Sequence, residues 1–155
     1  MPPCINKFYI LDLQPDNSLV RYALEQGQRV FLVSWRNPDE SMARAPGDDY
    51  IEHAVIEALR VSREVADVPA INTLGFCVGG TMLATALAVL AARGDQAAAS
   101  LTLLTTFLDF AETGILDVFV DEAMVQMREA SIGASSAAGG GLLKGKELAA
   151  TFSFL

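Results

Sequence analysis

The 155-residue sequence predicts an α/β fold, a parallel sheet with helices on both faces. Three observations predict it. Strand-like and helix-like segments alternate through the first two-thirds of the chain. "RVFLVSW" (Arg29 to Trp35) is apolar almost throughout, as suits a central parallel strand covered on both sides. "LGFCVGGT" (Leu74 to Thr81) puts a glycine-rich turn between an apolar run and an alanine-rich one, where a strand would pass into a helix.

Each element follows from local pattern. "KFYILDL" (Lys7 to Leu13), rich in aromatic and branched residues, reads as a first strand. "SLVRYALEQG" sets Leu19, Val20, Ala23 and Leu24 on one helical face, with Gly27 as its stop. Arg29 to Trp35 is the second strand, and Asn37-Pro38 and Pro46-Gly47 mark the loop after it. A second helix opens at "DDYIEH", where Asp49 and Glu52 have capping-box spacing. Its apolar stripe would be Ile51, Val55, Ala58, Leu59, Ser62 and Val65. "AINTLGF" is the third strand, "TMLATALAVLAARG" a helix ended by Gly94, and "ASLTLLTTFLDF" the fourth strand.

After Phe110 the alternation stops. "GILDVFVDEAMVQMREA" is helix-like, "GASSAAGGG" is low-complexity, and "LLKGKELAATFSFL" ends on apolar residues. Residues 1–110 are expected to form a partial core, and 111–155 the start of a helical cap segment. On this reading the fold is incomplete at both ends.

Composition narrows the function. The chain is 52% hydrophobic, with a mean hydropathy of +0.33. Ala70 to Ala92 holds no charged residue and could span a bilayer by length. Its Asn72, Gly75, Gly79 and Gly80, and a pattern that changes midway, read instead as strand, turn and core helix, so no transmembrane span is expected. The N-terminus lacks the basic region and cleavage site of a signal peptide, which predicts a cytoplasmic protein. A net charge of −8 excludes a generalised nucleic-acid surface. Two separated cysteines and one histidine point to no metal site, no disulfide framework and no cofactor.

The chemistry concentrates at Cys77. Gly75-x-Cys77-x-Gly79 at a strand-to-helix turn has the form of the nucleophile elbow of α/β-hydrolases, with cysteine in place of serine. The elbow strains its central residue and crowds the positions two before and two after, which suits glycine. A helix starting after Cys77 would favour the thiolate, and the Val78 N–H would donate to an oxyanion. An ordinary turn carrying an inert buried thiol is the other reading. A nucleotide loop is disfavoured, since neither G-x-G-x-x-G nor G-x-x-x-x-G-K is present.

A second oxyanion donor would come from a loop after an earlier strand. "PPCIN" (Pro2 to Asn6) is either that loop or a stiff terminus. His53 precedes Cys77 and lies with Glu57, Arg60 and Glu64, as a solvated helix residue would. Asp109 is the local candidate for a catalytic acid, but a turn cap explains it better.

At these residues the chain resembles a known family. "PPCINKFYILDLQP", "FLVSWRNPD", "DDYIEHA", "LGFCVGGT", "LLTTFLDF", "GILDVFVDE" and "TFSFL" together are similar to the class I polyhydroxyalkanoate synthases. The resemblance implies an α/β-hydrolase core under a cap, acting as a homodimer at the surface of cytoplasmic polyester granules. It implies polymerisation of (R)-3-hydroxyacyl-CoA, typically 3-hydroxybutyryl-CoA, onto a growing polyester chain with release of CoA. Cys77 matches the family's nucleophile and Val78 its backbone donor. Cys4 and Ile5 match the stretch lining the substrate entrance and the oxyanion side.

The family's catalytic aspartate and histidine lie downstream of anything matched, so the chain is expected to be an internal fragment, inactive alone. Two departures are visible: "RAPGDDY" lacks the family's usual tryptophan before the paired aspartates, and "GASSAAGGG" matches no fixed motif. A cysteine-nucleophile hydrolase (thioesterase or depolymerase) would share the elbow. An inactive granule-binding or dimerisation fragment is the remaining alternative.

Overall fold

A computed structural model of the chain describes residues 1–5, 7–119, 121–132 and 141–142. A helical turn, Phe8–Leu11, leads into β1 (Asp12–Gln14), which pairs antiparallel with β2 (Asn17–Ser18). Helix α1 (Leu19–Glu25) follows, capped by Ser18, whose hydroxyl accepts from the Arg21 N–H. Next come α2 (Gly47–Tyr50), a π-helical stretch (Ile51–Ile56) and α3 (Glu57–Ala66). The chain continues through β3 (Ile71–Phe76), α4 (Val78–Ala92), β4 (Ala98–Leu104), a helical turn (Gly114–Phe119) and α5 (Glu122–Ile132).

Two compact units result. One comprises Met1–Trp35 with Gly47–Leu108, the other Arg36–Pro46 with Asp109–Leu155. In the first, β3 and β4 pair in parallel from Asn72↔Ser100 to Phe76↔Leu104, with α4 as the crossover that parallel pairing requires. The pairing is reinforced where the Thr73 hydroxyl, buried, donates to the Ser100 carbonyl at 2.8 Å. Helix α4 buries Gly79, Leu83, Ala86 and Leu90, a three- and four-residue rhythm that makes one continuous face. That face packs with Val55, Leu59 and Ala97 into the core.

Around this core, ion pairs tie the helices. Arg63 holds Asp95 at 2.8 Å, joining α3 to the segment after α4, and Arg93 grips Glu52 with two N–H groups. In the second unit, Asp121 accepts from the Met124 N–H at 2.8 Å and caps α5. Arg36 pairs with Asp39 in the same unit.

Several predicted elements take another form. Lys7 to Leu13 is not a strand throughout. The rings of Phe8 and Tyr9 meet edge to face at 5.3 Å, a contact open to successive residues only when the backbone curls. The Ile10 N–H accordingly donates back to the Lys7 carbonyl. Arg29 to Trp35 forms no strand, and Phe31 and Leu32 stay exposed. A strand needs a ladder partner, and among the described residues this segment has none: β4 is the one strand paired with β3, and on the other side of β3 Met1 meets Leu74 and Phe76. The Met1 amine donates to the Leu74 carbonyl at 2.6 Å, and the Phe76 N–H donates to the Met1 carbonyl at 3.1 Å.

The capping box at Asp49 and Glu52 does not form either. The helix starts earlier, at Gly47, so Asp49 falls within the first turn and Glu52 is free to reach Arg93. The expected stripe holds at Val55 and Leu59, which are buried, but not at Val65, which is exposed in the last turn of α3. The fourth strand ends at Leu104, where Thr105 turns to a φ of 48°. The helix-like run after Phe110 divides into the turn at Gly114–Phe119 and α5. "GASSAAGGG" and "LLKGKELAATFSFL" lie outside the described residues, save Gly141 and Leu142. Among the described residues no helix is long and apolar enough to cross a membrane.

Candidate active site

Cys77 stands alone between β3 and α4, with φ 55° and ψ −133°. Side chains other than glycine rarely adopt that backbone, because the carbonyl crowds Cβ. The surroundings hold it there. The Cys77 N–H donates to the Leu104 carbonyl at 2.9 Å, tying the turn to the end of β4. The Cys77 carbonyl accepts from the Gly80 N–H at 2.8 Å, from the Thr81 N–H at 3.3 Å and from the Thr106 hydroxyl at 3.3 Å.

The turn is packed without slack. A Cβ at Gly75 would overlap the Cα of Gly80, so strand and helix touch backbone to backbone. A Cβ at Gly79 would overlap the Pro2 carbonyl, and one at Gly80 would overlap the Thr106 hydroxyl. Gly75 and Gly79 were expected to be crowded. Gly80 is equally so, and its signal in the sequence was only a third glycine in the motif.

Because Gly80 and Thr81 both donate to Cys77, the first α4 residues, Val78 and Gly79, have N–H groups with no carbonyl one turn back. The thiol therefore sits at the N-terminal end of a 15-residue helix, where the peptide dipoles favour negative charge.

Pro2 to Ile5 runs beside this turn. Pro2 and Pro3 are buried, unlike the residues of a loose terminus, and the Trp35 indole N–H donates to the Pro2 carbonyl at 2.9 Å. Trp35 in turn packs on Tyr50, with ring centroids 6.1 Å apart. Ile5 is partly exposed, and Asn6 lies outside the described residues. Cys4 and Cys77 are both half-buried free thiols. Burial, chiefly, pushes the Cys4 thiol up, and the charge of a Cys77 thiolate adds to that, so the two side chains are electrostatically coupled.

His53 and Asp109 are placed elsewhere. The His53 ring is 80% exposed and faces Asp49 at 3.8 Å on its own helix. Asp109 is exposed and accepts from the Ala111 N–H at 2.9 Å, closing the turn after it. Two residues at the turn escaped the sequence reading, Trp35 and Thr106. Trp35 read as one more apolar strand residue, and Thr106 as the second of two threonines in a strand. Nothing local in either pattern signals a long-range hydrogen bond.

The chain is similar along nearly its whole length to known proteins. Over all 155 residues the chain is 67% identical to the poly(3-hydroxyalkanoate) polymerase subunit PhaC of Cupriavidus necator. It is 42% identical over 154 residues to the protein of the same name in Rhizobium meliloti. It is 40% identical to the poly(3-hydroxyalkanoate) polymerase of Methylorubrum extorquens. It covers 26%, 24% and 25% of those three proteins, about a quarter of their length. The family model described as the alpha/beta hydrolase fold matches residues 6–155. With a parallel strand, a strained turn and a crossover helix in that order, the chain belongs to the α/β hydrolase family.

Proposed function

We propose that these residues carry the nucleophile of an acyltransferase that polymerises (R)-3-hydroxyacyl-CoA into polyhydroxyalkanoate. The observation that carries the reading is the positive φ of Cys77 at the start of α4, boxed in by Gly75, Gly79 and Gly80. The similarity to poly(3-hydroxyalkanoate) polymerases over the whole chain supports the substrate class.

The Cys77 thiolate attacks the thioester carbonyl of the acyl-CoA. Its electron pair forms the new C–S bond, the carbonyl oxygen becomes an oxyanion, and the bond to CoA breaks as CoA leaves as thiolate. The Val78 N–H, with a second donor from the Ile5 side, stabilises the oxyanion. Cys4 lies at the substrate entrance. The 3-hydroxyl of an acyl unit then attacks the acyl-cysteine, forming an ester and restoring the Cys77 thiol. One thioester replaces another in the first step, so little free energy is lost and the acyl group stays activated. The base for both steps comes from beyond this chain, because its one histidine, His53, is turned to solvent. In the same reading residues 111–155 begin a cap that keeps water from the acyl-cysteine. The enzyme works as a homodimer at the surface of cytoplasmic granules.

The test is incubation of the protein that carries this chain with labelled 3-hydroxybutyryl-CoA, followed by peptide mapping. The adduct is expected on Cys77. Cys77→Ala should abolish polymer, while Cys4→Ala should retain part of it. An adduct only on Cys4 overturns the assignment, and free 3-hydroxybutyrate in place of polymer makes the protein a hydrolase. The 155-residue polypeptide alone should release no CoA from the same substrate, and Cys77-dependent turnover by it would contradict an external base.

A further inference from the structure

We propose that Trp35 is a positioning residue for acyl transfer at Cys77, acting through the Pro2 carbonyl to hold the Pro2–Ile5 loop against the start of α4. The inference rests on the proposed role of Cys77 and adds to it a residue that touches neither substrate nor thiol.

The loop has few ways to be held. Pro2 and Pro3 carry no backbone N–H, so they cannot anchor themselves by donating. What remains are the Met1 amine, which donates to the Leu74 carbonyl, and the carbonyls. The Met1 carbonyl is taken by the Phe76 N–H, one residue before Cys77. The Pro2 carbonyl is taken by the Trp35 indole at 2.9 Å, a contact across 33 residues in a partly buried setting. That same carbonyl presses on Gly79, where a Cβ would overlap it. One oxygen is thus fixed from outside by an indole and from inside by the second residue of α4.

The consequence is geometric. Cys4 and Ile5 follow Pro2 within three residues, so the Trp35 bond, with the Met1 bonds to β3, sets where they stand beside Cys77. The indole is itself fixed by its packing on Tyr50 and against the core. Oxyanion stabilisation depends on donors standing ready at the correct distance. Without the indole N–H the loop could lift from Gly79, and a donor on the Ile5 side would lose its aim before the thiol lost anything.

The experiment separates these two consequences. In the protein that carries this chain, Trp35→Phe keeps an aromatic ring and removes the donor. Two rates at Cys77 are read: acylation by labelled 3-hydroxybutyryl-CoA in a single turnover, and alkylation by iodoacetamide, which builds no oxyanion. Acylation is expected to fall about tenfold, with kcat reduced and KM unchanged, while alkylation keeps its wild-type rate. Wild-type acylation in the variant overturns the proposal. So does a parallel fall in both rates, which would mean a merely structural role. If Trp35→Phe does not fold, 3-benzothienylalanine at position 35 keeps the bicyclic shape and removes only the N–H, with the same two outcomes. A wild-type protein never acylated at Cys77 overturns the underlying reading, and this inference with it. Acylation of both forms at equal rates overturns the inference alone.

Discussion

The Thr106 hydroxyl donates to the Cys77 carbonyl at 3.3 Å and occupies the space that a side chain on Gly80 would need. Its one proton is shared with the Leu104 carbonyl, 3.0 Å away, which receives the Cys77 N–H as well. The end of β4 therefore grips both sides of the strained residue. Such bracing lets a non-glycine residue keep a positive φ, since the strain must be outweighed by fixed neighbours.

Alanine at Gly75, Gly79 or Gly80 should destabilise the fold, but by different routes. At Gly75 and Gly79 the obstacle is backbone, so each should cost on the order of 3 kcal/mol with no remedy nearby. At Gly80 the obstacle is the Thr106 side chain, which can be trimmed. Gly80→Ala combined with Thr106→Ala should therefore cost less than the sum of the two, by at least about 1 kcal/mol. Urea melts of the three glycine variants, Thr106→Ala, the double variant and wild type make the comparison. Additive costs at Gly80 and Thr106 would mean that the two do not compete for space.

Cys4 should react sluggishly as a nucleophile. Its thiol is raised by burial and by the neighbouring Cys77, so less of it is thiolate at neutral pH than in a free cysteine. Iodoacetamide labelling of Cys4, followed by mass mapping from pH 7 to 10, should rise only at higher pH than for glutathione. In Cys77→Ala the curve should move part of the way back, since one of its causes is gone. An unmoved curve would mean that the two thiols do not sense each other.

The Met1 amine predicts a pH dependence of stability in the 155-residue polypeptide. Burial lowers its pKa from 8.0 to about 6 while it donates to the Leu74 carbonyl. Between those values the unfolded chain binds a proton that the folded chain does not. Stability should thus fall as pH drops from 8 to 6, by roughly 2–3 kcal/mol, and level off below. Urea midpoints across pH 5.5 to 8.5, taken in a His53→Gln background to remove the one imidazole, should show the slope. Nα-acetylation should erase it, because the acetylated terminus does not titrate. A slope that survives acetylation would assign the effect to another group.

The local pattern was enough for the turn and what flanks it. An apolar run, a glycine-x-cysteine-x-glycine turn and an alanine-rich run are contiguous, so β3, Cys77 and α4 were legible from the order of residues alone. Helix α1 and its stop at Gly27, where φ is 79°, were legible for the same reason. His53 and Asp109 also stand as their neighbours imply, one in solvent and one closing a turn.

Tertiary structure decided what depends on partners distant in the chain. Arg29 to Trp35 has the composition of a strand, but a strand exists only where a partner completes its ladder. Among the described residues β3 pairs with β4 alone, and no strand pairs with Arg29 to Trp35. The apolar run instead delivers Trp35 to the Pro2 carbonyl, which no periodicity encodes. Whether Pro2 to Ile5 was a loose terminus or a loop beside Cys77 was likewise undecided by composition, because proline stiffens either. The contact with Gly79 settled its place. Local sequence determines the conformation a segment prefers, whereas the partner that satisfies its backbone and fills its space comes from elsewhere in the fold.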